Sequence, residues 1–400
     1  MVPNGWSIKT LENLATVERG KFSARPRNDP KYYGGEIPFV QTGDIASAKT
    51  YLSSFSQTLN EDGLKVSRIF PKNSILITIA ANIGDTAITS FDVACPDSLV
   101  GIQPKQDVDC FWLNSFLETR KDDLDGKATQ NAQKNINLQV LKPLEILTPP
   151  YEEQRKIANI LSTWDKAIAT TEKLIETSKQ QKKALMQQLL TGKKRLVKPE
   201  TDKAFQGEWE EVPLSRWLIE FKEKSSVQDQ HRVYTSSRSG LLPQDEYFGN
   251  SRISDRKNIG FHVLPPEHMT YRSRSDDGFF TFNLFKGKEN GIISHYYPVF
   301  TSKGSNDFFI ALLEQYRSVF GKHSVGTSQK VLSFNALKAI KFSVPSTEEQ
   351  KKIASVLTSA NKEIEVLEAK LSHFKQEKKA LMQQLLTGKR RVKVAETEST

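Results

Sequence analysis

Two arginine-rich clusters carry the side chains best suited to grip a polyanion. The first gathers Arg19, Lys21, Arg25 and Arg27 near Tyr32 and Tyr33. The second interleaves Arg232, Arg238, Arg252, Arg256, Arg272 and Arg274 with Tyr234, Tyr247 and Tyr271. A guanidinium is a planar fork of donors that fits either the acceptors on a guanine edge or the oxygens of a phosphate, while the amides of Asn and Gln match adenine. Singly, each of these is more readily a phosphate contact or a solvated charge than a base reader, so the signal is in the clustering. The whole chain leans the same way, with 57 Lys and Arg against 47 Asp and Glu, a net charge of +10 and a pI near 9.3, which favours a polyanionic partner.

Patterns for bond-making chemistry are poor by comparison. Thr148-Pro149-Pro150-Tyr151 approaches the Asn/Asp/Ser-Pro-Pro-Tyr motif of amino-methyltransferases, but threonine stands where an amide or carboxylate would hold the amine. No glycine-rich cofactor loop follows a strand upstream, and the counterpart Val344-Pro345-Ser346-Thr347 keeps one proline, so helix entry is the simpler reading. No GxxxxGK[ST] loop is present to cradle a nucleotide, and Pro96-Asp97 is not followed by the Glu-x-Lys of a metal nuclease. The six histidines form no HxxxH or HExxH pair, and neither Cys95 nor Cys110 lies at ligand spacing to a histidine, so no metal site is expected. Two cysteines, no secretory leader pattern at the amino terminus and no apolar run near the ~20 residues needed to cross a bilayer point to a reducing cytoplasm and no membrane.

The elements that must hold these clusters are disclosed by a repeat. Lys182-Lys183-Ala184-Leu185-Met186-Gln187-Gln188-Leu189-Leu190-Thr191-Gly192-Lys193 recurs letter for letter as Lys378 to Lys389, 196 positions later. The same offset relates Glu152-Glu153-Gln154 to Glu348-Glu349-Gln350, Lys156-Ile157-Ala158 to Lys352-Ile353-Ala354, Gln133-Lys134 to Gln329-Lys330 and Leu141-Lys142 to Leu337-Lys338. The period is too long for a solenoid, so each copy is expected to be a globular lobe followed by a helix.

Residues 1–150 form the first lobe, α/β with a large irregular fraction. Strand-like runs fall at Ile37–Val40, Ser74–Ile79 and Thr86–Thr89, and a helix falls at Cys110–Arg120. In 151–192 the seam positions Ile157, Leu161, Trp164, Ile168, Thr171, Ile175, Ser178, Lys182, Leu185 and Leu189 are spaced 4-3-4-3. This heptad pattern of a coiled coil predicts a helix of about 38 residues and roughly 57 Å. Gly192, free to turn left-handed, stops it. Residues 193–207 read as a linker, and 208–346 as the second lobe, with strands at Arg232–Tyr234, Gly278–Phe282 and Pro298–Phe300 and a helix near Asp307–Phe320. The seam returns over 347–390 at Ile353, Leu357, Ala360, Ile364, Leu367, Leu371, Phe374, Lys378, Leu381 and Leu385, before a disordered tail at 391–400. Trp164 where the other copy has Ala360, and Ser178 where it has Phe374, predict large-against-small packing of two antiparallel helices in one chain, a pseudo-twofold arrangement. The competing reading is two arms that each dimerise with other chains.

With these residues in view the chain resembles the specificity subunit of type I restriction-modification systems. The resemblance rests on Pro150-x-x-Glu153-Gln154-x-x-Ile157-Ala158 with Pro345-x-x-x-Glu349-Gln350-x-x-Ile353-Ala354, on both Lys-Lys-Ala-Leu-Met-Gln-Gln-Leu-Leu-Thr-Gly-Lys tails, and on Pro38-Phe39-Val40-x-Thr42-Gly43-Asp44-Ile45, and it covers essentially the whole chain. It implies a non-catalytic subunit with two α/β target-recognition domains, each reading half of a bipartite site in double-stranded DNA, separated by two antiparallel coiled-coil helices. It also implies two methyltransferase subunits that bring S-adenosylmethionine, and in a larger complex restriction subunits acting as ATP- and Mg-dependent motor nucleases. No cofactor is expected in this chain itself.

Residues expected at DNA are Arg25, Arg27, Gln41, Thr42, Asn82 and Lys134 in the first lobe and Tyr234, Ser236, Arg238, Arg252, Arg272, Arg274 and Lys330 in the second. The polar helix faces expected to dock partners carry Lys179, Gln180, Lys182, Lys375, Gln376 and Lys378. A fused DNA methyltransferase or nuclease, and a coiled-coil scaffold whose lobes bind protein, are the alternatives.

Overall fold

Heptad spacing and helix punctuation act where the sequence places them. The computed structural model describes residues 2–128, 135–198, 200–238, 240–249 and 257–393. Its long helices run Tyr151–Leu189 and Thr347–Leu385, 39 residues each, their bounds offset by the same 196 positions as the repeat. Each ends at a left-handed glycine, Gly192 at φ 69° and Gly388 at φ 68°, a conformation open to residues without a Cβ. All twenty seam positions are buried or half-buried.

Each helix entry is built from a Glu-Gln pair. Gln154 donates from Nε2 to the Pro149 carbonyl (3.0 Å) and accepts from the Asp109 amide (2.9 Å). Gln350 does the same with Pro345 (2.9 Å) and Ser305 (3.1 Å). Asp109 and Ser305 are N-caps of the lobe helices Cys110–Thr119 and Asn306–Gln315, so one glutamine ties the start of each long helix to the start of its lobe helix.

Close contacts divide the chain into two units, Met1–Lys173 with Ala369–Thr400, and Leu174–Glu368, so each unit holds part of both long helices. In the first unit a five-stranded sheet has the order Ala15–Arg19, Leu99–Pro104, Ile75–Thr78, Thr86–Thr89, Tyr51–Leu52. A four-stranded sheet runs Gln57–Leu59, Tyr33–Phe39, Val93–Ala94, Ile69–Phe70. Ser7–Thr10 pairs antiparallel with Glu145–Thr148, bringing the two ends of the lobe together. The core mixes sheet residues Ile75, Ile77 and Ile102 and the lobe-helix residues Trp112 and Leu113 with Ile157 and Leu161 of one long helix and Leu385 and Leu386 of the other. Ile157 and Leu161 thus share a core with Leu385 and Leu386, Asp165 pairs with Lys378 at 2.5 Å and Glu172 with Lys375 at 2.8 Å, and Trp164 meets Phe374 with ring centroids 5.5 Å apart and near-perpendicular planes. Rising numbers on one helix meet falling numbers on the other, which makes the pairing antiparallel.

The second unit repeats the plan with different strands. Its four-stranded sheets have the orders Leu218–Phe221, Val299–Ser302, Met269–Tyr271, Phe282–Leu284 and Gly240–Pro243, Arg232–Ser237, Gly291–Ile293, His262–Leu264. Glu210–Pro213 pairs antiparallel with Lys341–Val344. Met186, Leu189 and Leu190 share its core with Ile353, Ala354 and Leu357, and Lys179 pairs with Glu368 at 2.6 Å.

Several expectations need correction. The aromatic seam residues meet each other instead of filling small positions, because the antiparallel register sets Trp164 on Phe374. Of Gly278–Phe282 only Phe282 enters a strand, since Asp277 accepts from Ser275 Oγ (2.8 Å) and the Phe279 amide (3.1 Å) and folds that segment into a turn. The helix near Asp307 ends at Gln315, followed by a separate 3-10 turn at Phe320–His323.

The presumed linker is packed. Arg195 grips Glu349 with Nε and Nη2, both at 2.7 Å, and Trp209 Nε1 donates to the same carboxylate at 3.3 Å. The first residue of the presumed tail makes the equivalent latch. Arg391 reaches Glu153 at 2.7 and 2.8 Å, Trp6 Nε1 donates to it at 2.9 Å, and the guanidinium lies 5.6 Å from the Trp6 ring centre. Residues 394–400 lie outside the described residues.

Candidate nucleic-acid interface

In the second unit four of the expected DNA-contact residues line one concavity of about 530 Å³: Ser236, Arg238, Arg272 and Arg274. Arg238 occupies the tight turn between Arg232–Ser237 and Gly240–Pro243. Arg272 and Arg274 come from the segment that follows Met269–Tyr271 and leads into the short pairing of Arg274–Ser275 with Lys330–Val331. Ser236 is buried and its hydroxyl accepts from Asn283 Nδ2 at 2.8 Å, so it shapes the wall, whereas the three arginines are exposed. Arg274 lies 4.7 Å from the centre of the Tyr296 ring, a cation–π contact that orients the guanidinium while leaving its edge free.

The remaining choices go elsewhere. Tyr234 packs on Phe285 with centroids 4.8 Å apart and across Gly291, where a Cβ would come within 2.6 Å of the ring. It serves the core because the neighbouring strand leaves it a glycine-sized gap. Lys330 is half-buried in its ladder and does not line the concavity, and Arg252 lies outside the described residues.

The first unit assembles a smaller concavity of about 360 Å³ that brings together Arg27 and Gln41, with Tyr33, Asn28 and Gln57. Gln41 heads the helix Thr42–Ser47; its amide donates to Asp44 Oδ2 (2.8 Å) and its Nε2 to Gln57 Oε1 (2.5 Å). Arg27 pairs with Asp97 at 2.9 Å. Arg25 is exposed and donates to its neighbour's carbonyl, Thr42 is half-buried, and Asn82 is exposed in the loop between Ile75–Thr78 and Thr86–Thr89. None of these three lines that concavity, and Lys134 lies outside the described residues. Gln57, Asp97 and Asp277 were missed in sequence because each acts through a partner remote along the chain.

The expected partner-docking lysines are largely engaged within the chain. Lys378 pairs with Asp165 at 2.5 Å, Lys375 with Glu172 at 2.8 Å and Lys179 with Glu368, and Gln180 donates to Glu176 at 3.3 Å. Among the described residues Lys182 and Gln376 make no such side-chain bond. At Lys182 the reason is the repeat itself, since the counterpart of Asp165 is Asn361.

Lys375 and Lys378 border a first-unit cavity of about 910 Å³ into which Glu118 faces. Burial, helped by the Asp165 charge and opposed by Lys378 and the Asn114 hydrogen bond, pushes the Glu118 carboxyl up to about 7. A raised folded-state value means that the folded form binds the proton more tightly, so the associated stability is complete below pH ~4.5 and is lost as pH rises through about 7. Glu118→Gln is expected to flatten that decline and to raise stability at pH 8 by about 1–3 kcal/mol, read from urea midpoints of both proteins at pH 5 and 8. Parallel pH profiles would refute it.

Comparison with known proteins agrees with this architecture. The family model for the type I restriction modification DNA specificity domain matches residues 3–180 and again 215–375. The type I restriction enzyme MjaVIII specificity subunit of Methanocaldococcus jannaschii is 23% identical over 98% of this chain and 94% of its own length. The MjaIX specificity subunit of the same organism is 31% identical over 43% of this chain and 40% of its own length. Among solved structures, the crystal structure of a type I restriction-modification system S subunit from M. genitalium covers 96% of this chain and 97% of its own, with TM-score 0.57 and 16% identity, a likeness of fold. With two matched segments that follow the two lobes and run into the two long helices, this chain belongs to the type I restriction modification DNA specificity family.

Proposed function

We propose that this chain is the sequence-reading, non-catalytic subunit of a type I restriction-modification complex. Each lobe reads one half of a bipartite site in double-stranded DNA, and the paired helices dock two methyltransferase subunits. S-adenosylmethionine, ATP and Mg belong to those and to the restriction subunits. The observation that carries the reading is the concavity of Arg238, Arg272 and Arg274 in the second unit, matched in the first by a smaller one with Arg27 and Gln41. Equivalent frames thus present different donor sets, which is what two unlike half-sites require. Among the described residues no group of His, Cys, Asp and Glu is placed to hold a metal ion, and no helix is long and apolar enough to cross a membrane.

Affinity in this scheme comes mainly from arginine–phosphate contacts and falls steeply with salt, whereas specificity comes from the few side chains that reach base edges. Methylome sequencing of the host with and without the gene is expected to show loss of one split adenine-methylation motif, which would yield both half-sites and the gap. An unchanged methylome in a host whose partner subunits are active, or methyl transfer or DNA cleavage by the purified chain alone, would overturn the proposal.

A further inference from the structure

The exposed arginines of the two concavities fall into two chemical classes. Arg238 Nη2 donates to Asp277 Oδ2 at 2.7 Å, and Arg27 Nη2 donates to Asp97 Oδ2 at 2.9 Å. Arg272 and Arg274 have no carboxylate partner among the described residues, and Arg274 lies instead on Tyr296.

The Asp277 carboxylate is anchored directly, and Asp97 through its backbone. The other oxygen of Asp277 accepts from Ser275 Oγ and the Phe279 amide, and these bonds, with the Arg238 charge, hold its carboxyl below the usual range, so it stays ionised at neutral pH. The Asp97 loop is pinned by Arg19, whose Nε donates to the Asp97 carbonyl at 2.6 Å. Tyr33 in turn fixes the Arg27 backbone through a 2.5 Å hydrogen bond to its carbonyl.

We propose that Asp97 and Asp277 are positioning residues that dedicate Arg27 and Arg238 to base edges, leaving Arg272 and Arg274 to hold phosphates. The proposal rests on the DNA-reading function above and assigns roles within it. A guanidinium has five donors, so one bond to a carboxylate leaves enough of the fork to meet guanine O6 and N7. A phosphate seated on the same fork would lie beside a fixed negative charge, and like charges at that range repel. A guanine edge is neutral and meets no such penalty. The carboxylate also holds a long, flexible side chain in one orientation before DNA arrives, which lowers the ordering cost of reading.

The test uses the full-length chain with its methyltransferase partner, selecting duplexes from a random-sequence pool at two salt concentrations. Arg238→Ala should erase preference at one base position. Asp277→Asn, which keeps an oxygen for Ser275 and Phe279 but removes the charge, should lose roughly 10-fold discrimination at that same position. It should also bind non-specific duplex more tightly, with a salt dependence steeper by about one phosphate. Arg272→Ala should weaken all sequences alike and make the salt dependence shallower by about one. Asp97→Asn should act in the same way on a position in the other half-site, an independent check should either variant fold poorly. Wild-type discrimination and salt slope in both Asn variants, or a relaxed base position in Arg272→Ala, would overturn the assignment while leaving the DNA-reading function standing. A wild-type complex with no base preference would remove both.

Discussion

Replacing Arg195 by Ala is expected to lower stability by about 3 kcal/mol, and Arg391→Ala by less. The Glu349 carboxylate is 2% exposed and Glu153 3%, so each arginine is the principal counter-charge of a carboxylate that water scarcely reaches. Deleting the cation strands that charge, and the remaining Trp209 or Trp6 hydrogen bond cannot neutralise it. The two sites differ because Arg391 is 42% exposed and Arg195 only 24%, and a solvated partner contributes less. Deleting the carboxylate should be milder, since a freed arginine can turn to water. Glu349→Gln combined with Arg195→Ala should therefore recover part of the loss, a coupling that a double-mutant cycle in urea measures directly. Strict additivity of the two substitutions would show that the latch contributes little.

That latch marks where the sequence stops being readable. The starts of the long helices, Tyr151 and Thr347, are legible to the residue because a proline entry and an unbroken 4-3-4-3 seam coincide, whereas the expected spans 151–192 and 347–390 run past the observed ends at Leu189 and Leu385. Glu153 and Gln154 stood out as repeated letters, yet their partners lie far off along the chain, at Trp6, Asp109 and Arg391, and pairings at such separations leave no periodic trace. Arg195 and Arg391 do share the 196-position offset, so extending the repeat past Gly192 and Gly388 would have flagged them. In the candidate site composition located the arginines, and Arg238, Arg272 and Arg274 converge. Tyr234 reads as the same kind of surface aromatic until Gly291 on the adjacent strand is seen to receive it. Trp164 and Phe374 show the same limit, because seam membership is local information and the partner across the seam lies more than two hundred residues away along the chain.

Exchanging residues 7–148 for the matching segment of a relative that reads a different site is expected to replace one half of the recognised sequence and to leave the other half unchanged. The cut is placed by the fold. Ser7 pairs with Thr148 and Thr10 with Glu145 in an antiparallel ladder, so the chain enters and leaves the lobe side by side and the segment can be lifted out with its sheets whole. Trp6 and Glu153 stay behind with Arg391, which keeps the latch intact. A cut between Ile75–Thr78 and Thr86–Thr89 would instead divide adjacent strands of the five-stranded sheet and should yield insoluble protein. Each wrong base pair costs ~1–3 kcal/mol, so even two altered positions should weaken binding to the old site by roughly 30- to 10⁴-fold. Methylome sequencing of cells carrying the exchanged gene reads both halves at once. A hybrid motif is the expected result, whereas a soluble, active hybrid that keeps the original motif, or that changes both halves, would mean that the lobes do not read independently.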